Sequence, residues 1–417
     1  MQIFDQWESE IRGYCRSYPT VFARAINARQ FDEQGKEYID FFAGAGVLNF
    51  GHNNPHMKEA VISFLQNNGV THSLDMATSV KRDFIKAFVE TILLPRKMEY
   101  KLQFVGPTGS NAVEAALKLA RRVTGRTDVV ACGQGFHGMT LGALACTANA
   151  YFRNAAGVPL NNVTHIPFES GPGGGMQNLH DLRVAYQSGS SGTDLPAAFL
   201  VETIQAEGGV NIASKEWLQG VQALAHDLGA LFIIDDIQVG CGRTGQYFSF
   251  EDLGVDPDII CLAKGIGGLG TPLAMNLIKP EHDSHWKPGE HTGTFRGQGI
   301  SFVAGREALR YFENDELMQR TQERCGGITQ RLEKIADEFG DGKFVVRGKG
   351  MIHGLDVADN DLAKGIARQC FDDGLLIGPC GVTSRVIKFI PPLTSTDEDI
   401  DQGFDIFSRA VAKKTGA

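Results

Sequence analysis

Ala230-Leu-Phe-Ile-Ile-Asp235-Asp236-Ile-Gln238-Val-Gly-Cys-Gly-Arg243-Thr-Gly245 is an unbroken apolar run that ends in two carboxylates and a glycine-rich turn. A strand buried on both faces looks like this, because neither face has a solvated side to fill with polar residues. In an open parallel sheet such strands deliver their functional side chains at the carboxyl end. Further apolar runs flank this one: Tyr100–Val105, Val129–Cys132, Ala197–Glu202 and Ile259–Leu262. They alternate with helical patterns between about 100 and 295, which predicts an α/β fold with a doubly wound, mostly parallel sheet. Alternation along the strand sends Asp235 and Asp236 to opposite sides.

Outside that region the chain reads differently. Residues 1–50 open on a polar amphipathic stretch, then Val21-Phe-Ala-Arg-Ala and Lys36-Glu-Tyr-Ile-Asp-Phe-Phe, predicted as short strands around the turn Asp32-Glu-Gln-Gly35. Gly44-Ala-Gly46 through Gly51-His52-Asn-Asn-Pro55 is too rich in glycine for a core element and reads as a loop, followed by a helical pattern from Pro55 to about Thr91. After 296 a long helical region precedes Phe344–Arg347, Met351–Asp356, Leu375–Gly378 and Val386–Phe389, the pattern of a small mixed domain. The expected division is an N-terminal segment, 1–50, joining a small C-terminal domain, 296–417, with a large domain over 51–295.

Composition narrows the function class. A net charge of −9 argues against a nucleic-acid or anionic-membrane partner. No apolar run approaches the roughly 20 residues of a membrane span, and Met1-Gln-Ile-Phe-Asp lacks the basic start and apolar core of a leader. The eight cysteines contain no C-x-x-C pair and the eleven histidines no H-E-x-x-H. Reduced thiols, a cytoplasmic setting and no metal centre are therefore expected.

Chemistry-bearing residues sit where the strands end. Leu262-Ala-Lys264-Gly-Ile-Gly267 places one lysine among apolar and glycine residues, where its ammonium is poorly solvated and its pKa falls. A strand-end acid and a desolvated lysine are what pyridoxal-phosphate chemistry requires, the one holding a pyridine nitrogen protonated and the other forming a Schiff base. A capping Asp and a snorkelling Lys would also produce this pattern. Gly106-Pro-Thr-Gly109-Ser110-Asn111-Ala-Val-Glu114 reads as a glycine turn into a helix, with Asn111 as cap and Glu114 three residues on. Such a start suits an anion, and equally an ordinary capped helix. Gly133-Gln-Gly135-Phe136-His137-Gly138 matches G-x-G-x-x-G, the nicotinamide alternative, but no acid follows about 20 residues on to hold a ribose. Phe136 there is placed to stack on a flat ring or to pack in a core. Glu202-Thr-Ile-Gln205-Ala-Glu207 sets two carboxylates at another strand end, and His291-Thr-Gly-Thr294-Phe-Arg296-Gly297 joins hydroxyls and a cation in a glycine-bounded loop.

Taken in this order, the stretches resemble the fold-type I, class III pyridoxal-phosphate aminotransferases over nearly the whole chain, from Asp32 to about Thr394. The resemblance implies a large domain with a mostly parallel seven-stranded sheet and a smaller α/β domain. It implies that Gly109, Ser110 and Asn111 cradle the cofactor phosphate, that Phe136 stacks on the ring with His137 beside it, and that Glu202 lies against the cofactor. Asp235 would pair with the pyridinium nitrogen, Gln238 would contact the ring hydroxyl, and Lys264 would be the Schiff-base lysine. Thr294 would complete the phosphate site from a partner subunit, so a homodimer is the minimum and a tetramer remains open. Within the family the likeness runs to the subgroup acting between diaminobutyrate and 2-oxoglutarate in ectoine synthesis. Arg24-Ala-Ile-Asn-Ala-Arg29, His72-Ser-Leu-Asp75-Met, Gly135-Phe-His-Gly-Met-Thr140 and Gly293-Thr-Phe-Arg-Gly297 carry it. It implies glutamate and aspartate 4-semialdehyde as substrates and a potassium dependence; ornithine- or 4-aminobutyrate-type members are the neighbouring alternatives.

Three positions depart from the wider class. Asp236 stands where many members have Glu. Met139 stands where ornithine-type members have an arginine. Lys388, in Arg385-Val-Ile-Lys388-Phe-Ile-Pro-Pro392, replaces the arginine that grips a substrate carboxylate and otherwise folds onto the acid matching Glu207. Lysine cannot form that bidentate fork. Arg153, Arg296 and Lys388 are accordingly the candidates for the substrate carboxylates, with Glu207 as the acid.

Overall fold

A computed structural model describes residues 2–416. Met1 and Ala417, the outermost residues of the expected terminal segments and the start of the stretch read for a leader, lie outside them.

Seven strands form the central sheet: β1 (Lys101–Phe104), β2 (Val129–Cys132), β3 (Val163–Ile166), β4 (Ala198–Val201), β5 (Leu231–Asp235), β6 (Ile259–Leu262) and β7 (Met275–Ile278). Their order is β1-β7-β6-β5-β4-β2-β3. All neighbouring pairs from β6 to β3 are parallel, and β7 runs antiparallel to both β6 and β1. The continuous apolar runs have a direct cause. Phe232, Ile234, Ile260 and Leu262 enter a core on one face. Leu231, Ile233, Ile259 and Cys261 enter another core on the opposite face. Each fully buried Leu, Ile or Phe contributes roughly 1.5–3 kcal/mol, so both faces have to be apolar.

A third core joins the two ends of the chain. Ile39, Phe41 and Phe50 pack with Leu332, Met351, Phe389, Phe404 and Phe407. Glu37–Asp40 pairs in parallel with Leu375–Leu376, which ties the first fifty residues to the last hundred. Strands Val345–Lys349, Ile352–Asp356, Val386–Phe389 and Gly378–Cys380 make a further antiparallel sheet.

The structure corrects several local expectations. Arg29–Asp32 forms an additional strand between the two read near the N-terminus. The helical pattern from Pro55 to Thr91 is two helices, Pro55–Gln66 and Ser79–Phe88, the second running on into a π-turn over Val89–Leu93. Asn67, left-handed Asn68 and Gly69 end the first helix, and Thr78 caps the second by accepting from Lys81 N–H at 3.3 Å. The segment between them meets the 291–297 loop: His72 Nε2 lies 2.8 Å from Thr294 O, and Ser73 N–H donates to Gly297 O at 3.0 Å. The helix after β1 begins at Gly109, with Thr108 as its cap in place of Asn111. Thr108 Oγ1 accepts from Asn111 N–H at 3.3 Å, and Glu114 instead accepts from the Gly142 and Ala143 amides at 2.9 and 3.0 Å.

Candidate active site

The carboxyl ends of β1, β2, β4, β5 and β6 open on one cavity of about 170 Å³. Of the sequence candidates, Gly109, Ser110, Phe136, His137, Glu202, Glu207, Asp235, Gln238 and Lys264 line it. Asn111, Arg153, Thr294, Arg296 and Lys388 do not, although Lys388 reaches its wall through Glu207.

Asp235 ends β5 almost wholly buried, and His137 Nδ1 lies 2.8 Å from its Oδ2. Burial disfavours the imidazolium, but the hydrogen bond and charge of Asp235 outweigh it and hold the His137 pKa above its usual value. His137 Nε2 is buried with no hydrogen-bond partner among the described residues. Asp236 turns the other way, accepting from the Ser249 hydroxyl and from Ser249 N–H at 3.3 Å. Burial pushes its carboxyl up to about 7 despite those bonds. The alternation expected from the strand is therefore present, with one acid on the cavity and one in the packing.

Lys264 follows β6 with φ +52°, an uncommon conformation for a residue with a side chain, in the turn Lys264–Gly267. Burial lowers its pKa to about 8, against the opposing pull of Glu207. Glu202 at the end of β4 accepts from Phe136 N–H at 3.0 Å, and burial raises its pKa to about 7. Burial would raise Glu207 likewise, but the charges of Lys388 and Lys264 prevail and bring it down to about 2.

Gln238 joins these groups. Its amide donates to Glu207 Oε1 at 3.0 Å and to Ala45 O at 2.8 Å, and its Oε1 accepts from Lys388 Nζ at 3.3 Å. Lys388 Nζ also donates to Glu207 Oε1 at 2.5 Å. The glycine-rich loop is thus part of the site: Ala43, Gly44, Ala45 and Gly46 all have positive φ, and this left-handed run presents the Ala45 carbonyl.

At the helix start, the Gly109 and Ser110 amides precede the first intrahelical acceptor and have no protein partner among the described residues. Gly138 lies against Ser110, where an added Cβ would fall 2.2 Å from Ser110 Oγ. Free amides at the positive end of a 16-residue helix suit an anionic group. With Phe136 beside the cavity, the orphaned His137 nitrogen behind Asp235, and Lys264 opposite, the residues present fit a phosphorylated aromatic aldehyde.

Two candidates are reassigned. Arg153 Nη1 donates to the carbonyls of Ala145, Thr147 and Leu144 at 2.7, 3.0 and 3.3 Å, so it ties down the C-terminus of helix Leu141–Cys146 and not a substrate. Arg296 pairs with Asp75 and donates to His291 O at 2.9 Å, so it braces its own loop. The nicotinamide alternative also falls. No helix opens at Gly138 to receive a pyrophosphate, since the next one is the six-residue helix beginning at Leu141. Sequence reasoning missed Thr108, although a threonine three residues before Asn111 is an ordinary cap signal. It also missed Thr147, whose hydroxyl accepts from His137 N–H at 2.9 Å, and for that residue no local pattern exists.

The Aminotransferase class-III family profile matches residues 14–411. A diaminobutyrate–2-oxoglutarate transaminase of Wolinella succinogenes is 49% identical over 413 residues, 99% of this chain and 96% of that protein. One from Halalkalibacterium halodurans is 47% identical over 411 residues, 99% and 96% of the two chains. Among solved structures, the ornithine aminotransferase of Toxoplasma gondii superposes with a TM-score of 0.85 at 25% identity, covering 99% of this chain and 94% of that one.

Proposed function

The chain belongs to the class-III aminotransferases, and from that premise we propose that it moves the amino group of L-glutamate to the aldehyde of L-aspartate 4-semialdehyde. The products are L-2,4-diaminobutyrate and 2-oxoglutarate, and the reaction is placed at the entry to ectoine synthesis. The enzyme is a pyridoxal-phosphate-dependent transaminase. The observation that carries the substrate assignment is near full-length identity of 47–49% to transaminases of that name. The cavity supports the transaminase chemistry by bringing a desolvated lysine and a strand-end acid to one space.

When bound, pyridoxal phosphate supplies a carbonyl carbon that takes up an amino group and a ring that accepts electron density. The residues would divide the work as follows. The Gly109 and Ser110 amides hold the phosphate, and Asn111, turned toward Thr108, shapes that helix start. Phe136 flanks the ring, and Glu202, bonded to the Phe136 amide, holds that residue in place. Asp235, steadied by His137, keeps a proton on the ring nitrogen. Gln238 would contact the ring hydroxyl. Lys264 Nζ, with its pKa near 8, is partly neutral at physiological pH and can take and return a proton as general base. Lys388 takes a substrate carboxylate when it releases Glu207, as a point charge and not as a fork.

The assignment extends to organisation. The working unit is a homodimer at minimum, with Thr294 of each chain reaching the other's phosphate site. The first fifty residues and 296–417 act as one small domain against 51–295. No helix among the described residues is long and apolar enough to cross a membrane, and a cytoplasmic enzyme is proposed. The test is product analysis with glutamate and aspartate 4-semialdehyde, where one 2-oxoglutarate per diaminobutyrate is expected. Multiple turnover by Lys264→Ala, or a clear preference for another aldehyde acceptor, would refute the reading.

A further inference from the structure

One peptide unit beyond the cofactor cavity lies a second, larger cavity. Glu207 lines the first; Gly208 lines the second, whose volume is about 820 Å³. Its other walls come from Gln134, Ser170 and Asn211 on one side and from the C-terminal region on the other, through Arg347, Asp356 and Arg385. Two guanidiniums converge there on one carboxylate. Asp356, buried, stands 2.8 Å from Arg347 Nη2 and 3.0 Å from Arg385 Nε, and it also accepts from Ala358 N–H at 3.0 Å. No other ionisable side chain lines the cavity, so it carries two cations and one anion.

The two arginines are differently placed. Arg347 Nη1 is occupied, donating to Gly209 O and Asn211 Oδ1, both at 2.9 Å. Arg385 has a half-exposed side chain, and its two terminal amino groups have no acceptor among the described residues. The hydroxyls of Ser170 and Thr383 on the same walls are unpaired among the described residues as well. The ion pair with buried Asp356 keeps the Arg385 guanidinium at this wall while its terminal amino groups stay without an acceptor among the described residues. A free guanidinium edge, an excess positive charge and two spare hydroxyl donors form the complement of a carboxylate.

We propose that this cavity is a binding site for a small carboxylate anion, separate from the cofactor cavity and held chiefly by the free edge of Arg385. Its ligand lies against Gly208 and the Arg347 that grips Gly209, the two residues that follow Glu207 in the chain. The proposal does not depend on which amino acceptor the enzyme uses.

Succinate is a suitable probe, since it has neither an amino nor a keto group and cannot turn over. The cofactor-loaded enzyme is titrated with succinate by calorimetry while the visible cofactor band is followed in parallel. A binding event that leaves the band unmoved, at one equivalent per chain, is expected. Arg385→Gln removes the free edge but leaves Asp356 paired with Arg347. It should weaken the band-silent event at least about tenfold, from the loss of charge-assisted hydrogen bonds, and leave glutamate turnover unchanged. Arg385→Lys keeps the charge without the planar edge and should lie between the two. The proposal is overturned if no band-silent event occurs, or if that event is unchanged in Arg385→Gln. Inorganic phosphate binding there as tightly as succinate would overturn the carboxylate assignment.

Discussion

Glu207→Gln removes the charge opposite Lys388 while keeping the shape of the side chain. Lys388 has a side chain only 3% exposed, and its Nζ lies 2.5 Å from Glu207 Oε1, so the substitution leaves its ammonium without a counter-charge, facing only neutral amide oxygens, that of Gln238 and the one introduced. Breaking a buried pair from one side typically costs 3–5 kcal/mol. Glu207 itself is 31% exposed. The resulting water access puts the expected loss at the lower end, about 3 kcal/mol. Replacing both residues, Glu207→Gln with Lys388→Met, removes the stranded charge and should recover most of that loss. The same substitution acts on Lys264, because Glu207 is the strongest influence keeping its ammonium charged against burial. Its pKa should drop further below about 8. A general base works as the free amine, so the rising limb of the kcat–pH profile moves to lower pH in the variant. Stability responds in a defined direction too. Unfolded, the lysine titrates near 10.5, and in the folded cofactor-free chain near 8. Between those values the unfolded chain binds more protons, so this group's contribution makes stability rise with pH across that window. In Glu207→Gln the window begins at lower pH. Urea unfolding of parent, single and double variants at fixed pH, together with kcat–pH profiles, measures both effects. The reasoning fails if the single variant unfolds within about 0.5 kcal/mol of the parent, if the double variant is no better than the single, or if the limb moves upward.

Two further outcomes are expected. Asp235→Asn keeps the hydrogen bond from His137 but removes the charge facing the ring nitrogen. A fall in kcat of about 10²–10³, the usual scale for losing a preorganised electrostatic group, is expected with a smaller change in glutamate KM; unchanged kcat in steady-state assays would remove Asp235 from the chemistry. Arg153→Gln gives up charged hydrogen bonds to three carbonyls, and thermal or urea unfolding should show a loss of about 1.5–3 kcal/mol at constant KM for both substrates. A tenfold rise in either KM would return Arg153 to the substrate site.

What could be read from the sequence follows from which forces are local. Leu231–Asp235, Ile259–Leu262 and Val129–Cys132 were legible to the residue because burial on both faces leaves an uninterrupted apolar run. Val163–Ile166 was not: it is the edge strand, with Val163 and Thr164 partly open to solvent and His165 exposed, so its composition carries less signal. Met275–Ile278 is fully buried, but it follows a glycine- and proline-rich turn and runs against the direction that the βαβ alternation leads one to expect. The lining of the cavity was legible where a strand end supplies it directly, as at Asp235, Glu202 and Lys264. Lys388 and Gln238 were named through the family resemblance and not from a local signal, because their arrangement depends on long-range pairing. Lys388 and Glu207 stand 181 residues apart, and Gln238 reaches a carbonyl 193 residues away. Arg243 is a further residue of this kind. In the sequence it belongs to the same run as Asp235, and nothing local marks its role. In the structure it is fully buried, with its pKa pushed down to about 9 by desolvation. It donates to Asn49 Oδ1 at 2.6 Å, to Met351 O at 3.2 Å and to Pro391 O. Those three acceptors belong to the N-terminal segment and to two separate stretches of the C-terminal region, whereas Arg243 itself follows the central strand. A buried cation with only neutral acceptors is costly, and it is tolerated where several otherwise unpaired oxygens converge on it. Arg243 therefore fixes how the C-terminal core, with Lys388, sits over the strand end that carries Asp235, and it does so without facing the cavity.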